Sequence, residues 1–413
     1  MKKFIWTFGT LLLLLMALAA CGGNETADSD PASYDNWDDV IAEASGQTVN
    51  WYMWGGQDNI NAWVTGYVAD NLKEKYDITV NLVPLVDTAD AVNKVIGEKE
   101  AGRDTDGSVD LIWINGENFF TMRQGDLLYG PWSQDTPNSA AYVNWDDASV
   151  AFDLGFPVEG YESPYGKAQF VMIYDSAHVP EPPTTIDGLV EWIKANPGKF
   201  TYPAPPDFTG YAFMLQMCYH ATGGHEQYLT DFDEAMFNDQ WQTCWDLLNE
   251  IEPFLWREGA TYPESHAAHD ELFANGEVWF NMAWNPAEAS AKVESGQFPE
   301  TTRTFVFDTG TLANTHYLAI PYNSPNKAAA MVLADFILSP EAQLSKKDIN
   351  NWGDFPAIDA NLLSDEQRAE FESLPLGIAT LPDAELAAKR LPELSAAWRV
   401  SAEEAWEAQV LQQ

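Results

Sequence analysis

The run Val109-Asp110-Leu111-Ile112-Trp113-Ile114-Asn115-Gly116-Glu117-Asn118 decides the fold. Its first six residues are almost continuously apolar, the pattern of a strand covered on both faces of a parallel sheet. The run breaks at Asn115-Gly116, and a helix follows over 119–124. The same order precedes it twice. Thr48–Trp54 is strand-like and ends in Trp54-Gly55-Gly56; Ile60, Trp63, Val64, Tyr67, Val68 and Leu72 then recur at helical spacing over 59–76. Ile78–Val83 reads as a second strand, and 88–101 as an amphipathic helix with Ala91, Val92, Val95 and Ile96 on one stripe. Strand and helix alternating three times predict a parallel sheet in an α/β lobe. Ligands of such sheets sit at the carboxyl ends of the strands. The loops Trp54-Gly55-Gly56 and Asn115-Gly116-Glu117-Asn118 lie at that edge.

Further along, Gln169–Tyr174 is another apolar strand. After Pro180-Glu181-Pro182-Pro183, Thr184 or Thr185 is placed to cap a helix running to Ala195, since a hydroxyl can accept a free first-turn amide. Asn196-Pro197-Gly198 stops it. Phe200–Tyr202 reads as a short strand, and Asp207-Phe208-Thr209-Gly210 leads into a long apolar helix. Glu277–Ala283 is a strand ending at Trp284-Asn285-Pro286. Thr304–Phe307 and Tyr317–Ile320 look like strands, and Ala328–Leu338 is a helix. The remainder is helices and loops, including Trp352-Gly353-Asp354 and Trp398–Leu411.

The chain has 413 residues, enough for two or three compact units. Hydrophobic residues make up 46% and charged residues 20%, which excludes large-scale disorder. Acidic residues number 63 against 21 basic ones, a net charge of −42. Nucleic acid and anionic membrane surfaces would both repel such a chain. The acidity serves solubility in salty surroundings or the attraction of cations. Met1-Lys2-Lys3, the apolar stretch 4–20 and Leu18-Ala19-Ala20-Cys21 read as a secretory signal with a small-residue cleavage site. The apolar core is too short for a membrane span. Residues 22–33 are small and polar, as in a flexible tether. Cys218 and Cys244 both lie in apolar, helix-like stretches; a disulfide and a pair of buried thiols are both compatible with an extracytoplasmic setting.

Taken together these stretches resemble the bacterial extracellular solute-binding proteins of ABC transporters. Leu18-Ala19-Ala20-Cys21 resembles a lipobox, in which the cysteine is diacylated and becomes the first residue. Val109–Asn118 is similar to the third-strand motif of that family. Gln169–Asp175 with Pro182-Pro183-Thr184-Thr185 is similar to its crossover strand and entry into a second lobe, and Gly276–Asn285 to its returning strand. Residues 320–327 and 338–343 are similar to its closing segment. Trp54-Gly55-Gly56 with 59–63, Asn314-Thr315-His316, and Trp352-Gly353-Asp354 resemble the YnjB type within the family. The resemblance implies a type II periplasmic-binding fold: two α/β lobes, each a mostly parallel sheet flanked by helices, closing on a ligand by hinge motion. It implies a signal over 1–20, a tether and lead-in over 21–46, a first lobe of 47–168 with 308–340, and a second of 169–307 with 341–413. It also implies a lipid-anchored, extracytoplasmic monomer whose partners are a small-molecule ligand and a membrane permease with its cytoplasmic ATPase. No cofactor or resident metal is expected. The chain lacks a Gly-x-x-x-x-Gly-Lys loop, so ATP hydrolysis would be the partner's work.

A two-lobe binder needs polar groups aimed from both lobes around an apolar platform. The candidates are Trp54, Gly55, Gly56, Asn115, Gly116, Glu117 and Asn118 from the first lobe, and Phe208, Thr209, Trp284 and Asn285 from the second. Asn314, Trp352 and Asp354 join them, with Tyr165 behind. Thr209 would present its hydroxyl and amide at a helix N-terminus. Each also has a plain structural reading, as core aromatic or helix cap. Seven arginines exist and none lies in these loops, whereas tryptophan beside Glu117 and Asp354 suits a cation or a heteroaromatic ring. A thiamine-like or polyamine-like solute fits, and a small sugar also stacks on tryptophan. The enzyme alternative, a secreted carbohydrate-active hydrolase, needs two carboxylates about 5–10 Å apart, a spacing that so many acids always supply. No Gly-x-Ser-x-Gly elbow is present. His266 with His269, and His220 with His225, give too few ligands for zinc and read as surface or core histidines. Asp104-Thr105-Asp106-Gly107 lacks the later ligands of a calcium loop.

Overall fold

Val49, Trp51 and Met53 alternate inward along Thr48–Trp54 (β1) and are fully buried, which seats this strand inside the largest sheet. The computed structural model describes residues 36–411; the signal sequence, Cys21 and the tether ahead of residue 36 lie outside the described residues. The other strands are Thr79–Leu85 (β2), Leu111–Ile114 (β3), Phe152–Asp153 (β4), Phe156–Pro157 (β5), Glu162–Gln169 (β6), Val171–Asp175 (β7), Phe280–Ala283 (β8), Thr302–Phe305 (β9), Thr311–Ala319 (β10) and Arg390–Leu391 (β11). The larger sheet runs β11-β10-β3-β1-β2, and β6 also pairs with β10. β1 is parallel to β2 and β3, while β10 is parallel to β11 and antiparallel to β3 and β6. β4 and β5 form a short hairpin.

The second sheet is β8-β7-β9. The chain has the two-lobed α/β fold that the resemblance implies, but this smaller sheet is antiparallel throughout rather than mostly parallel. Its middle strand enters straight from the larger sheet and runs against both neighbours. Gln169 pairs with Ala313 in the larger sheet, and two residues later Val171 pairs with Ala283 in the smaller. Between them the buried Phe170 donates its amide to Leu312 O at 2.8 Å. The Gln169 side chain donates to Thr311 Oγ1 (3.2 Å), Leu386 O (3.0 Å) and Lys389 O (3.2 Å). One glutamine thus fastens the seam between the sheets to the C-terminal segment.

Several boundaries differ from the sequence reading. The lead-in contains a helix, Trp37–Ala44, capped by Asn36 and burying Val40 and Ala44 in the same core as the alanines of helix Lys327–Ile337. The helix after β1 runs from Asp58 to Tyr76 with a π-helical turn over Val64–Val68. Phe200 and Tyr202 are buried but form no strand. β10 begins at Thr311, well before Tyr317; its polar residues concealed it, because they are consumed by buried partners rather than by water. Thr185 does cap its helix, accepting the Gly188 amide at 3.1 Å.

Helix Phe208–Thr222 is buried around most of its circumference, as expected for a helix apolar on all sides. It carries Cys218, which is disulfide-bonded to Cys244 of helix Gln242–Ile251 across 26 residues. Closing a loop of that length restricts the unfolded chain and stabilises the fold by about 3 kcal/mol. Reducing the protein, or substituting Cys218→Ser, should lower the free energy of unfolding in urea by that amount. An unchanged midpoint with and without reductant would show the bridge contributes nothing.

Candidate functional site

The end of β1 is shaped by close backbone approach. Gly55 donates its amide to Leu85 O at 3.0 Å, and a Cβ added there would stand 2.4 Å from Pro84 Cβ, so only glycine fits. The Asn61 amide group donates to Gly55 O at 3.0 Å and fixes the turn. Trp54 is half-buried, edge-on to Trp113 at 6.4 Å, with Gly56 exposed beside it. From the next residue, Gln57 Nε2 donates to Glu288 Oε2 at 2.7 Å, reaching helix Glu288–Glu294 beyond β8.

At the end of β3 the helix begins at Gly116, with φ +54. The Gly116 amide is taken by the buried Asp153 carboxylate, and Asn115 Nδ2 donates to Thr315 O at 2.9 Å. Both residues therefore hold the loop, while Glu117 and Asn118 are half-buried at its tip. Glu117 forms an ion pair at 3.5 Å with Arg399, on helix Ala396–Trp406. The Arg399 guanidinium lies 4.9 Å from the ring centroids of both Phe208 and Tyr211. Phe208 in turn packs on Trp284 with ring centroids 4.8 Å apart, and the Trp284 indole N–H donates to Phe208 O at 3.2 Å. The expected helix N-terminus at Thr209 is not open. Asp207 Oδ1 accepts both the Thr209 and Gly210 amides (2.9 and 3.0 Å), and Thr209 is buried. The capping carboxylate precedes the helix, so it claims the amides first.

Asn314 donates to Glu393 Oε1 at 3.1 Å. Burial pushes the Glu393 carboxyl up to about 7, against the pull of Arg399. Arg399 itself is held above the ordinary guanidinium range: burial acts against its charge, but Glu117 and Glu403 outweigh it.

Trp352 and Asp354 are buried, not cleft surface. The Asp354 carboxylate accepts from the Lys346 ammonium and from His316 Nε2 at 2.7 Å. Trp352 lies parallel to the His316 ring, 6.1 Å away, and Lys346 sits 4.2 Å over the Tyr165 ring. Burial brings Lys346 down to about 8 and His316 below its usual range. Burial would raise Asp354, yet His316 and Lys346 hold it low. Asn285 Nδ2 donates to Trp352 O at 3.0 Å and so ties the end of β8 to this cluster. Sequence reading missed Arg399, Glu393, Lys346 and Gln57, because each is placed by a partner far away in the chain. His266, Asp270 and Glu288 come close enough to hold a cation, but Lys292 donates to both carboxylates and fills that role.

The model of the bacterial extracellular solute-binding protein family matches residues 67–370. The chain belongs to that family. This solute-binding protein is 39% identical over 373 residues to Protein YnjB of Escherichia coli (strain K12), covering 90% of this chain and 92% of that one. Its fold is also similar to that of PotD, the spermidine/putrescine ABC-transporter substrate-binding protein of Streptococcus pneumoniae: TM-score 0.60, 17% identity, 88% of this chain and 98% of the other. A periplasmic thiamin-binding protein matches with TM-score 0.56 and 15% identity over 89% of this chain and 96% of the other. At such identities these two likenesses concern the fold alone. Among the described residues of the solute-binding protein, no helix is long and apolar enough to cross a membrane.

Glu393 makes the site's stability depend on pH. Between roughly pH 4.3 and 7 the folded state binds more protons at this carboxyl than the unfolded chain does. Its contribution is therefore full in acid and is lost as pH rises through about 7. A Glu393→Gln variant should lack this slope, so that the native chain loses about 3 kcal/mol relative to it between pH 4.5 and 8. Urea unfolding across that range checks it; parallel curves for the two proteins would contradict the assignment.

Proposed function

We propose that this solute-binding protein is the lipid-anchored substrate-binding component of an ABC importer. It captures a small cationic or heteroaromatic solute, thiamine-like or polyamine-like, by lobe closure and delivers it to a membrane permease. One observation carries the choice of ligand. Arg399, a flat delocalised cation, rests between the Glu117 carboxylate and the rings of Phe208 and Tyr211. A carboxylate beside aromatic faces is a cation's environment, and a solute of the same character would find the same partners there. Trp284 extends the aromatic surface, and Trp54, Asn118, Asn285 and Asn314 supply partly exposed groups from both sheets. The relation of PotD to spermidine and putrescine, and of the thiamin-binding protein to thiamin, agrees with this class.

Closure rests on Gln57 and Glu288, which already meet between the segments that follow β1 and β8. The lobe boundaries expected from the sequence, the monomeric state, the absence of catalysis and the anchor at Cys21 belong to the same reading.

A thermal-shift and calorimetry panel of thiamine, its phosphates, polyamines, betaines, amino acids, sugars and oxyanions tests the ligand. A cationic or heteroaromatic member should raise the melting temperature saturably. Glu117→Gln and Trp284→Ala should each weaken its binding about tenfold or more, the scale of a lost charge-assisted or ring-face contact. A shift produced by neutral sugars alone would replace this reading with the sugar-binding one. For the anchor, Cys21→Ser should move the protein from the detergent phase to the aqueous phase in Triton X-114 partition. Equal partition of both forms would remove the lipid from the account.

A further inference from the structure

A cavity of about 550 Å³ opens between the seam strand at Lys167, Ala168 and Gln169 and the C-terminal segment from Phe355 to Arg390. Neither Glu117, Phe208 nor Trp284 lines it, so it is distinct from the solute site. Its walls are largely apolar, among them Phe355, Ile358, Leu363, Phe371 and Leu386. Its charge is reversed relative to the chain: Lys167, Lys347, Arg368 and Arg390 line it against Glu372 and Asp383, in a protein of net charge −42.

Two of these cations are already matched, Lys347 with Asp383 and Arg368 with Asp365. Among the described residues the Lys167 ammonium has only long contacts, 3.4 Å to Asp147 Oδ2 and 3.4 Å to Ser149 Oγ. The Arg390 guanidinium makes no hydrogen bond and no ion pair among the described residues, and the one carboxylate that favours its charge is the same Asp147. Burial pushes both Arg390 and Lys167 below their usual ranges, and the Arg390 charge lowers Lys167 further. This guanidinium is partly buried and still open to the cavity, so its five donors have no protein acceptor among the described residues and are free for a ligand.

We propose that this cavity is a second ligand site, taking a small organic anion: a carboxylate on an apolar body, with Arg390 and Lys167 on the carboxylate and the apolar walls around the rest. The volume is that of an ordinary small-molecule pocket. Arg390 supplies the planar fork that carboxylates fit, and Lys167 a second positive charge. The occupant would touch Gln169 and Leu386, whose hydrogen bond joins the seam to the C-terminal segment. Binding there would reinforce the crossing between the sheets.

Phenylacetate and octanoate are the probes, with inorganic phosphate as the anion lacking an apolar body, titrated calorimetrically into the purified full chain. Saturable binding of an organic carboxylate is expected, weakened about tenfold or more by Lys167→Gln and by Arg390→Gln, as for a lost hydrogen bond to a charged group. Arg390→Lys keeps the charge and should fall between. Glu117→Gln should leave this binding unchanged, which separates it from the solute site whatever that site binds. If Arg390→Gln melts early without ligand, Lys167→Gln alone decides. No saturable binding, equal binding in the variants, phosphate binding as tightly as phenylacetate, or loss of binding in Glu117→Gln would each overturn the proposal.

Discussion

The clasp formed by Lys346, Asp354 and His316 around β6 constrains the rest of the molecule. All three side chains are buried, and Lys346 also donates to Tyr165 O at 2.7 Å. A Cβ at Gly166 would stand 2.2 Å from His316 Nε2, so the strand passes the charged groups only because this residue has no side chain. Burying such charges is costly, and their mutual attraction offsets that cost only when the geometry is good and every remaining donor is used. The aromatic shell of Trp113, Tyr165 and Trp352 keeps water out and fixes the rings. Because β6 runs on into β7, the position of the smaller sheet begins at this clasp.

From that seam the site follows. β1 and β3 end at the loops carrying Trp54 and Glu117, and the smaller sheet delivers Trp284 and Asn285 at the end of β8. The C-terminal helix closes the arrangement by bringing Arg399 back to Glu117. Elements from the beginning, middle and end of the chain thus meet in one place, with the Gln169 side chain holding the last of them to the first crossing.

Local physics made much of this legible. The apolar run of β3, the cap at Thr185 and the turn at Gly55 depend on neighbours in sequence, and each is where the residues place it. What could not be read depends on distant partners. Asp354 looks like a ligand carboxylate until Lys346 and His316 are known to hold it. Arg399 looks like one charge on a helix, paired with Glu403 one turn away, until Glu117 arrives from the helix after β3. Thr209 looks like an open helix start because Asp207 can be read equally as loop or cap. Polar residues in buried strands mislead in the same way: their alternation speaks of exposure, while their partners speak of an interior.

If the proposed cationic solute enters between Glu117 and Phe208, the placement of Arg399 has a thermodynamic consequence. The spot has a resident of its own chain, so an arriving cation competes with an intramolecular rival whose effective concentration never falls. Observed affinity is then a difference, reduced by the fraction of molecules in which the resident holds its place. On that reading weak cations, abundant inorganic ones above all, would fail the comparison, while a solute that also covers the Trp284 face would succeed. A self-occupied site of this kind would reject by default and admit by surplus, and would give a strongly acidic protein a way to ignore the counterions that crowd its surface.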